Sequence, residues 1–163
     1  MSLNRKIPDF AWQWIKVLNK RISSRYSERF IAGDLVLLLI TTGRKSGLQR
    51  TTPLQYEEVN GNYFVASARG KDADWYKNIL ACPEVIVQVK SKSYQANAKA
   101  ITDPDQMADF LELRLKRRPR MIKTIMRMEG LPSQFDREDL VAFAENKALV
   151  EIQPVEEIFH QVN

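Results

Sequence analysis

A chain of 163 residues with a net charge of +5, 44% hydrophobic and 28% charged, is long enough to bury a core of its own. It is neither apolar enough to live in a bilayer nor polar enough to stay unfolded. One cysteine and one histidine exclude an internal disulfide and the usual zinc shells, and the positive balance favours anionic partners: nucleic acid, an acidic membrane surface or a phosphorylated small molecule.

The start, Met1 to Lys6, is basic, but Pro8 and Asp9 follow it in place of a signal-peptide core. The expected location is therefore cytoplasmic. From Asp9 to about Ser24, the apolar residues Phe10, Trp14, Val17, Leu18 and Ile22 recur at three- and four-residue steps opposite Lys16, Lys20 and Arg21. This spacing predicts an amphipathic helix capped by Asp9 that covers one face of the core, with a membrane surface or a shielded pocket as alternative uses. Ser23 to Asp34 reads as a polar connector.

The apolar run Leu35 to Thr41 is too short for a lone helix and is stopped by Gly43 to Gly47, so it predicts a strand buried on both faces, followed by a turn. Gln49 to Glu58 is the next strand. Asn60-Gly61 is a strong hairpin signal and predicts that Gln55–Val59 pairs antiparallel with Asn62–Ser67. Ala68 to Asp72 is a loop and Asp74 to Ala81 a short helix closed before Pro83, with Asp72 or Asp74 at its positive end. Val85–Val89 and Ser93–Ile101 are strands joined by a tight connection at Lys90-Ser91-Lys92. On the second of them Tyr94, Ala96, Ala98 and Ala100 face one way and Gln95, Asn97 and Lys99 the other.

Asp103-Pro104 starts a helix that runs to about Arg117, with Met107, Phe110, Leu111 and Leu115 inward. A second basic helix, Arg120 to Met128, ends at Gly130. Asp136 to Asn146 is a further short helix and Leu149 to Gln153 a last strand. Five antiparallel strands joined by hairpins and a helix, with a sixth to close them, predict an α+β fold: a closed or split β-barrel with helices around it. One domain is expected over 1–163, with its N-terminal helix and connector in 1–34, its barrel core in 35–101 and its C-terminal helices and closing strand in 102–163.

Chemistry concentrates in Thr41-Thr42-Gly43-Arg44-Lys45-Ser46-Gly47-Leu48-Gln49-Arg50. Two glycines, three cations and backbone N–H groups in one turn suit an anion, with arginine offering a planar fork and lysine a compact charge. The Gly-Lys-Ser/Thr of a phosphate-binding P-loop is absent. A solvated basic hairpin tip has the same composition, and both readings stand at this point.

Together with Arg50-Thr51-Thr52-Pro53-Leu54, Val65-Ala66-Ser67, Trp75-Tyr76-Lys77-Asn78-Ile79 and Pro83-Glu84-Val85, this turn resembles the deazaflavin-dependent nitroreductase and quinone reductase family, in the same order and at near-family spacing over roughly residues 35 to 101. The resemblance implies a split β-barrel, similar to the flavin-reductase barrels, that binds the 5-deazaflavin coenzyme F-420. By motif match Arg44, Lys45, Ser46, Gly47 and Arg50 would hold its phosphate and polyglutamate tail. Thr51, Thr52, Pro53 and Leu54 would run along it, and Ser67, Ala68 and Arg69 would lie by the ring, with Ser67 facing the reacting atoms. Trp75 and Asn78 match the family's Trp-Tyr-x-Asn helix. Read from the residues alone, Trp75 is equally a core anchor and Asn78 a local cap or turn bond.

Two departures matter. Many relatives have a lysine and paired glycines where this chain has Ala68-Arg69-Gly70-Lys71, and residues 104 to 147 contain no tyrosine, whereas nitroimidazole-reducing members carry a tyrosine cluster there. The expected function is hydride transfer from the reduced coenzyme to a small electrophile, namely a quinone, an enone or a nitro compound, by a monomer or homodimer. The proton would come from Ser67, a bound water, Tyr56 or Tyr76. An FMN-binding barrel is the first alternative. A nucleic-acid-binding barrel is disfavoured, because Tyr56, Tyr63, Phe64 and Tyr94 are not interleaved with cations as base-stacking platforms are. The basic residues Arg114, Lys116, Arg117, Arg118, Arg120, Lys123 and Arg127 read as a solvated face, with the coenzyme's acidic tail or a membrane surface as alternatives. Cys82 and His160 read as non-catalytic.

Overall fold

The computed structural model describes residues 36–67 and 69–158. The expected N-terminal helix and connector lie outside the described residues, as do Leu35, Ala68 and His160. Six strands, β1 (Val36–Thr42), β2 (Gln49–Val59), β3 (Asn62–Ser67), β4 (Glu84–Val89), β5 (Lys92–Ile101) and β6 (Ala148–Ile158), close into a barrel in the order β1-β2-β3-β6-β5-β4. Every neighbouring pair is antiparallel. Four helices, α1 (Asp74–Ala81), α2 (Pro104–Arg117), α3 (Pro119–Met128) and α4 (Arg137–Ala144), complete the described part. The barrel and its surrounding helices are the α+β architecture expected from the residues.

The hairpins follow from local chemistry. Asn60 and Gly61 both have positive φ, 53° and 81°, the backbone of a type I′ turn whose twist matches the flanking strands. Lys90 (φ 56°) occupies the same region between β4 and β5. The alternation of β3 then divides the molecule's two cores. Tyr63 and Val65 point into the barrel with Leu37, Leu39, Val87, Val150 and Ile152, and Trp75, Tyr76 and Ile79 of α1 join that interior. Phe64 and Ala66 point outward, beneath Met107, Phe110 and Leu111 of α2, Ile122 and Met126 of α3 and Leu140 and Ala144 of α4.

β6 runs well past the expected Gln153, through Pro154 to Ile158. A proline removes a ladder donor and normally marks a strand's end. Here the register against β5 slips between Gln95 and Ala96, so that Gln95 faces Glu156 while Ala96 faces Pro154. The irregularity is where a proline is tolerated, and the strand continues beyond it. Helices start as their sequences demand: Asp103 accepts from the N–H of Asp105 at 2.9 Å ahead of Pro104, and Asp136 and Asp139 form a reciprocal capping box on α4.

The expected loop before α1 contains a single 3-10 turn at Gly70–Asp72. Gly70 has φ +58°, and a Cβ there would stand 2.3 Å from the carbonyl oxygen of Asn146. Left-handed backbone alone costs a non-glycine residue about 1–2 kcal/mol, and the clash with fixed backbone adds to it. Gly70→Ala is therefore expected to destabilise the protein by about 2 kcal/mol or more in urea unfolding, with displacement of the segment that carries Lys147. An unchanged unfolding midpoint would show that Asn146 moves aside freely.

Candidate functional site

The β1–β2 hairpin tip is closed by its own backbone: Gly43 N–H donates to the Leu48 carbonyl and Gly47 N–H to the Gly43 carbonyl, each at 2.7 Å. Leu48 N–H donates to Ser46 Oγ at 3.3 Å, and Arg44 N–H donates to Asn78 Oδ1 at 3.1 Å. Of the N–H groups in the turn, those of Lys45 and Ser46 are the ones left without such a partner among the described residues. The turn is thus less of a backbone nest than its composition promised.

Arg44 is largely spent on structure. Its Nη1 donates to Asn78 Oδ1 at 3.1 Å and to the Asp74 carbonyl at 3.4 Å, and its Nη2 to Asp74 Oδ1 at 3.0 Å. Asn78 in turn donates to Thr41 Oγ1 at 3.2 Å and is buried. This ties the hairpin to α1, so Asn78 makes long-range bonds to β1 and the turn. The guanidinium keeps its Nε–H and one Nη2–H for another acceptor. Lys45 and Arg50 are exposed and have no hydrogen bond or ion pair among the described residues.

Asp74 starts α1 without capping it. The hydrogen bond from Arg44, and then its charge, hold the Asp74 carboxyl below its ordinary value of 3.8. A carboxylate with a lowered folded pKa contributes stability above its unfolded pKa and loses that contribution as pH falls through the folded value. The melting curves of wild type and Asp74→Asn should therefore differ at neutral pH and converge in acid below the ordinary carboxylate value. A difference that persists there would mean that Asp74 acts without its charge.

Beside this clasp lies a cavity of about 490 Å³. Its barrel side is Thr52, Pro53, Leu54, Gln55, Ala66, Ser67 and Leu149, its rim Arg69, Asp74 and Trp75, and its helical wall Met107, Phe110, Leu111, Arg114, Ile125, Met126, Glu129, Phe143 and Lys147. The structure thus brings Thr52, Pro53, Leu54, Ser67, Arg69 and Trp75 together around one space. Arg44, Lys45, Ser46, Gly47, Arg50 and Thr51 lie along the adjoining hairpin, and Asn78 sits behind Arg44. Ser67 is buried, and among the described residues its hydroxyl has no hydrogen-bond partner. Trp75 also belongs to the barrel core and meets Tyr76 edge to face. Tyr56 and Tyr76 are buried in the barrel interior and do not line the cavity.

The basic C-terminal segment is not a uniform solvated face. Glu57, 2% exposed, is met by Arg117 Nη1 at 3.0 Å, by Arg118 Nη1 and, more distantly at 3.8 Å, by Arg114 Nε. Arg114 Nη2 donates to Gln55 Oε1 at 2.9 Å, and its Cζ lies 5.9 Å from the centre of the Phe110 ring. Burial pulls the Arg114 pKa below its ordinary value against the opposing pull of Glu57 and Glu129, yet a guanidinium stays charged. Lys147 is bound to Glu129 at 2.7 Å and stands 4.5 Å over the Phe143 ring.

Of the helical wall, the sequence names Arg114 alone as a candidate contact, within the basic segment whose alternative role is to meet the coenzyme's acidic tail or a membrane surface. One signal for it existed: Met107, Phe110, Leu111 and Arg114 fall at steps of three and four on a single stripe of α2, which places a cation where an apolar residue is due. Lys147 and Glu129, far apart in sequence, left no such trace.

The barrel recurs in solved structures. A conserved hypothetical protein of Mycobacterium tuberculosis superposes with a TM-score of 0.55 at 14% identity, covering 78% of this chain and 78% of that one. The heme storage protein of Vibrio cholerae superposes at 0.53 with 15% identity, covering 79% and 87%. At these identities the likeness concerns the fold alone. In sequence, an F420H(2)-dependent quinone reductase of Mycobacterium tuberculosis is 34% identical over 88 residues, which are 51% of this chain and 59% of that protein. The match thus spans less than two thirds of that relative's length. The pattern of the family described as F420H(2)-dependent quinone reductase matches residues 15–129, which include the hairpin, the Ser67 strand, α1 and the arginines of α2. The chain belongs to that family.

Proposed function

We propose that the protein is an oxidoreductase that passes a hydride from reduced deazaflavin coenzyme F-420 to a small electrophilic acceptor, a quinone in the first instance. The observation that carries this reading is the meeting of Thr52, Pro53, Leu54, Ser67, Arg69 and Trp75 around one cavity, next to a hairpin that presents Lys45 and Arg50, both exposed and unpaired among the described residues. Family membership and the curated relative's name point the same way.

The residues present suit the coenzyme. About 490 Å³ lies within the range of small-molecule sites, roughly 300–1,000 Å³, and the lining combines apolar side chains with charged ones, Arg69, Asp74, Arg114, Glu129 and Lys147. Lys45 and Arg50 would hold the phosphate and acidic tail, with Arg44 contributing only the donors its clasp leaves free. When bound, the reduced coenzyme supplies the hydride.

The chain's own tasks are to bind, orient and exclude water. Thr52 to Leu54 and Trp75 position the ring, and the helical wall of Met107, Phe110, Ile125 and Phe143 keeps the space dry. Reduction of a quinone to its hydroquinone takes up a hydride and a proton. Of the side chains considered as the proton's route, Ser67 lines the cavity and Tyr56 and Tyr76 do not. Its hydroxyl would hold the acceptor oxygen on which negative charge develops and relay a proton to it from water. We place this activity in the cytoplasm.

The test is anaerobic mixing of the protein with the reduced coenzyme and a panel of quinones and enones, following the return of the oxidised coenzyme's visible absorption. Acceptor-dependent oxidation well above the protein-free rate is expected. Tight binding of FMN with no response to the deazaflavin would overturn the proposal.

A further inference from the structure

We propose that Arg114 forms an anion-recognising subsite on the helical wall of the cavity, so that the favoured acceptor is a planar electrophile carrying a carboxylate or similar acidic group. This deepens the reading of the site as a deazaflavin-dependent reductase and rests on it.

The first observation is the state of the guanidinium. The Arg114 side chain is 13% exposed and carries five N–H donors. Among the described residues it gives one hydrogen bond, from Nη2 to Gln55 Oε1, since Nε stands 3.8 Å from Glu57, beyond hydrogen-bond range. No buried side-chain nitrogen or oxygen among the described residues is left without a partner. Among the described residues Nη1 has no hydrogen-bond partner, and Arg114 lines the cavity.

Charge supplies the second. Glu57 carries one negative charge and faces three arginines, and Arg117 and Arg118 make its close contacts. Glu129, the other acid near Arg114, is engaged by Lys147 at 2.7 Å. Counting Arg114, Arg117, Arg118 and Lys147 against Glu57 and Glu129 leaves two positive charges in excess, and of the three arginines Arg114 is the one that lines the cavity. A partly desolvated cation with free donors attracts an anion far more strongly than a solvated surface lysine does. Arg69, on the rim, is exposed, and water already serves it.

The third is shape. Phe110 lies under the guanidinium, and Met107, Leu111 and Ile125 continue the wall. A flat ring against this surface with an acidic group reaching Arg114 satisfies both halves, while a neutral ring leaves the donors without an acceptor. The coenzyme's own acidic groups belong at the hairpin cations, which another part of the chain supplies.

The test uses two naphthoquinones with the same ring, one bearing a propionate side chain and one the neutral propyl chain. Two readouts are taken on wild type, Arg114→Gln and Arg114→Lys: kcat/KM with reduced coenzyme, and quenching of tryptophan fluorescence by each quinone with no coenzyme present. Wild type is expected to favour the propionate about tenfold or more in both, as befits a charge-assisted contact. The preference should fall towards one in Arg114→Gln and be partly restored in Arg114→Lys. Glu57 keeps its two close arginines in both variants, and Arg114→Lys alone decides the matter if Arg114→Gln does not fold, since a shorter, single-point cation must then reduce the preference. A preference equal in all variants overturns the subsite. So does a loss of coenzyme affinity in Arg114→Gln with acceptor preference intact, which would assign the anion to the coenzyme. If no quinone is turned over, the activity reading fails by itself, and propionate-dependent quenching that vanishes in Arg114→Gln still establishes the subsite.

Discussion

Replacing Glu57 with Gln is expected to lower the thermal unfolding midpoint by about 6–12 °C, from a loss of about 3 kcal/mol. Glu57 is 2% exposed and is the acid on which Arg114, Arg117 and Arg118 converge from α2 and from the residue before α3. Removing it leaves three like charges close together, and Arg114, at 13% exposure, has little freedom to turn towards water. The loss stays near the lower end for a broken buried pair because Arg117 and Arg118, 38% and 32% exposed, retain partial solvation. Arg117→Gln should cost less than about 1 kcal/mol, as partly exposed pairs do. Calorimetry on the two variants checks the contrast, and equal melting would mean that the helices are held by apolar packing alone.

Replacing both Lys45 and Arg50 with Ala is expected to weaken binding of the deazaflavin coenzyme by about 100-fold or more, from two charge-assisted contacts of about 1.5–3 kcal/mol each. The melting temperature of the coenzyme-free protein should hardly move, because both side chains are exposed and unpaired among the described residues. Arg44→Ala should do the reverse, lowering the melting temperature more than the affinity, since its guanidinium joins the hairpin to Asp74 and Asn78. Titration at increasing salt adds a check: wild-type affinity should fall more steeply than that of the double variant. If the double variant binds as tightly as wild type, the acidic tail lies elsewhere.

The contrast between Arg44 and its neighbours shows where sequence reading reaches and where it stops. Strand periods, Asn60-Gly61, Pro104 and the Asp136 cap are local signals, and each produced the element it predicts close to its expected bounds. The last strand runs past its expected end at Gln153, because the irregularity that accommodates Pro154 is made jointly with Gln95 and Ala96 on another strand. The motif named the cations of the hairpin but could not divide them, for the difference lies in Asp74 and Asn78, thirty or more residues away. Glu57 and its arginines are about sixty residues apart. No local pattern marks such a pairing, although the cation on the α2 stripe was a visible anomaly.

The position of β6 bears on how the protein comes to be folded. It is the last strand among the described residues, yet it lies between β3 and β5, so during synthesis the pairing of both those edges waits until residues 148–158 have left the ribosome. Its pairing with β3 closes a loop of more than eighty residues, as in Tyr63 with Ile152, which is slow entropic work that local hairpins do not share. Ala144, Lys147 and Leu149 of the cavity arrive with it. The ligand site is therefore assembled in the same late event that closes the barrel, and a nascent chain halted before Ala148 would carry two open sheet edges prone to self-association.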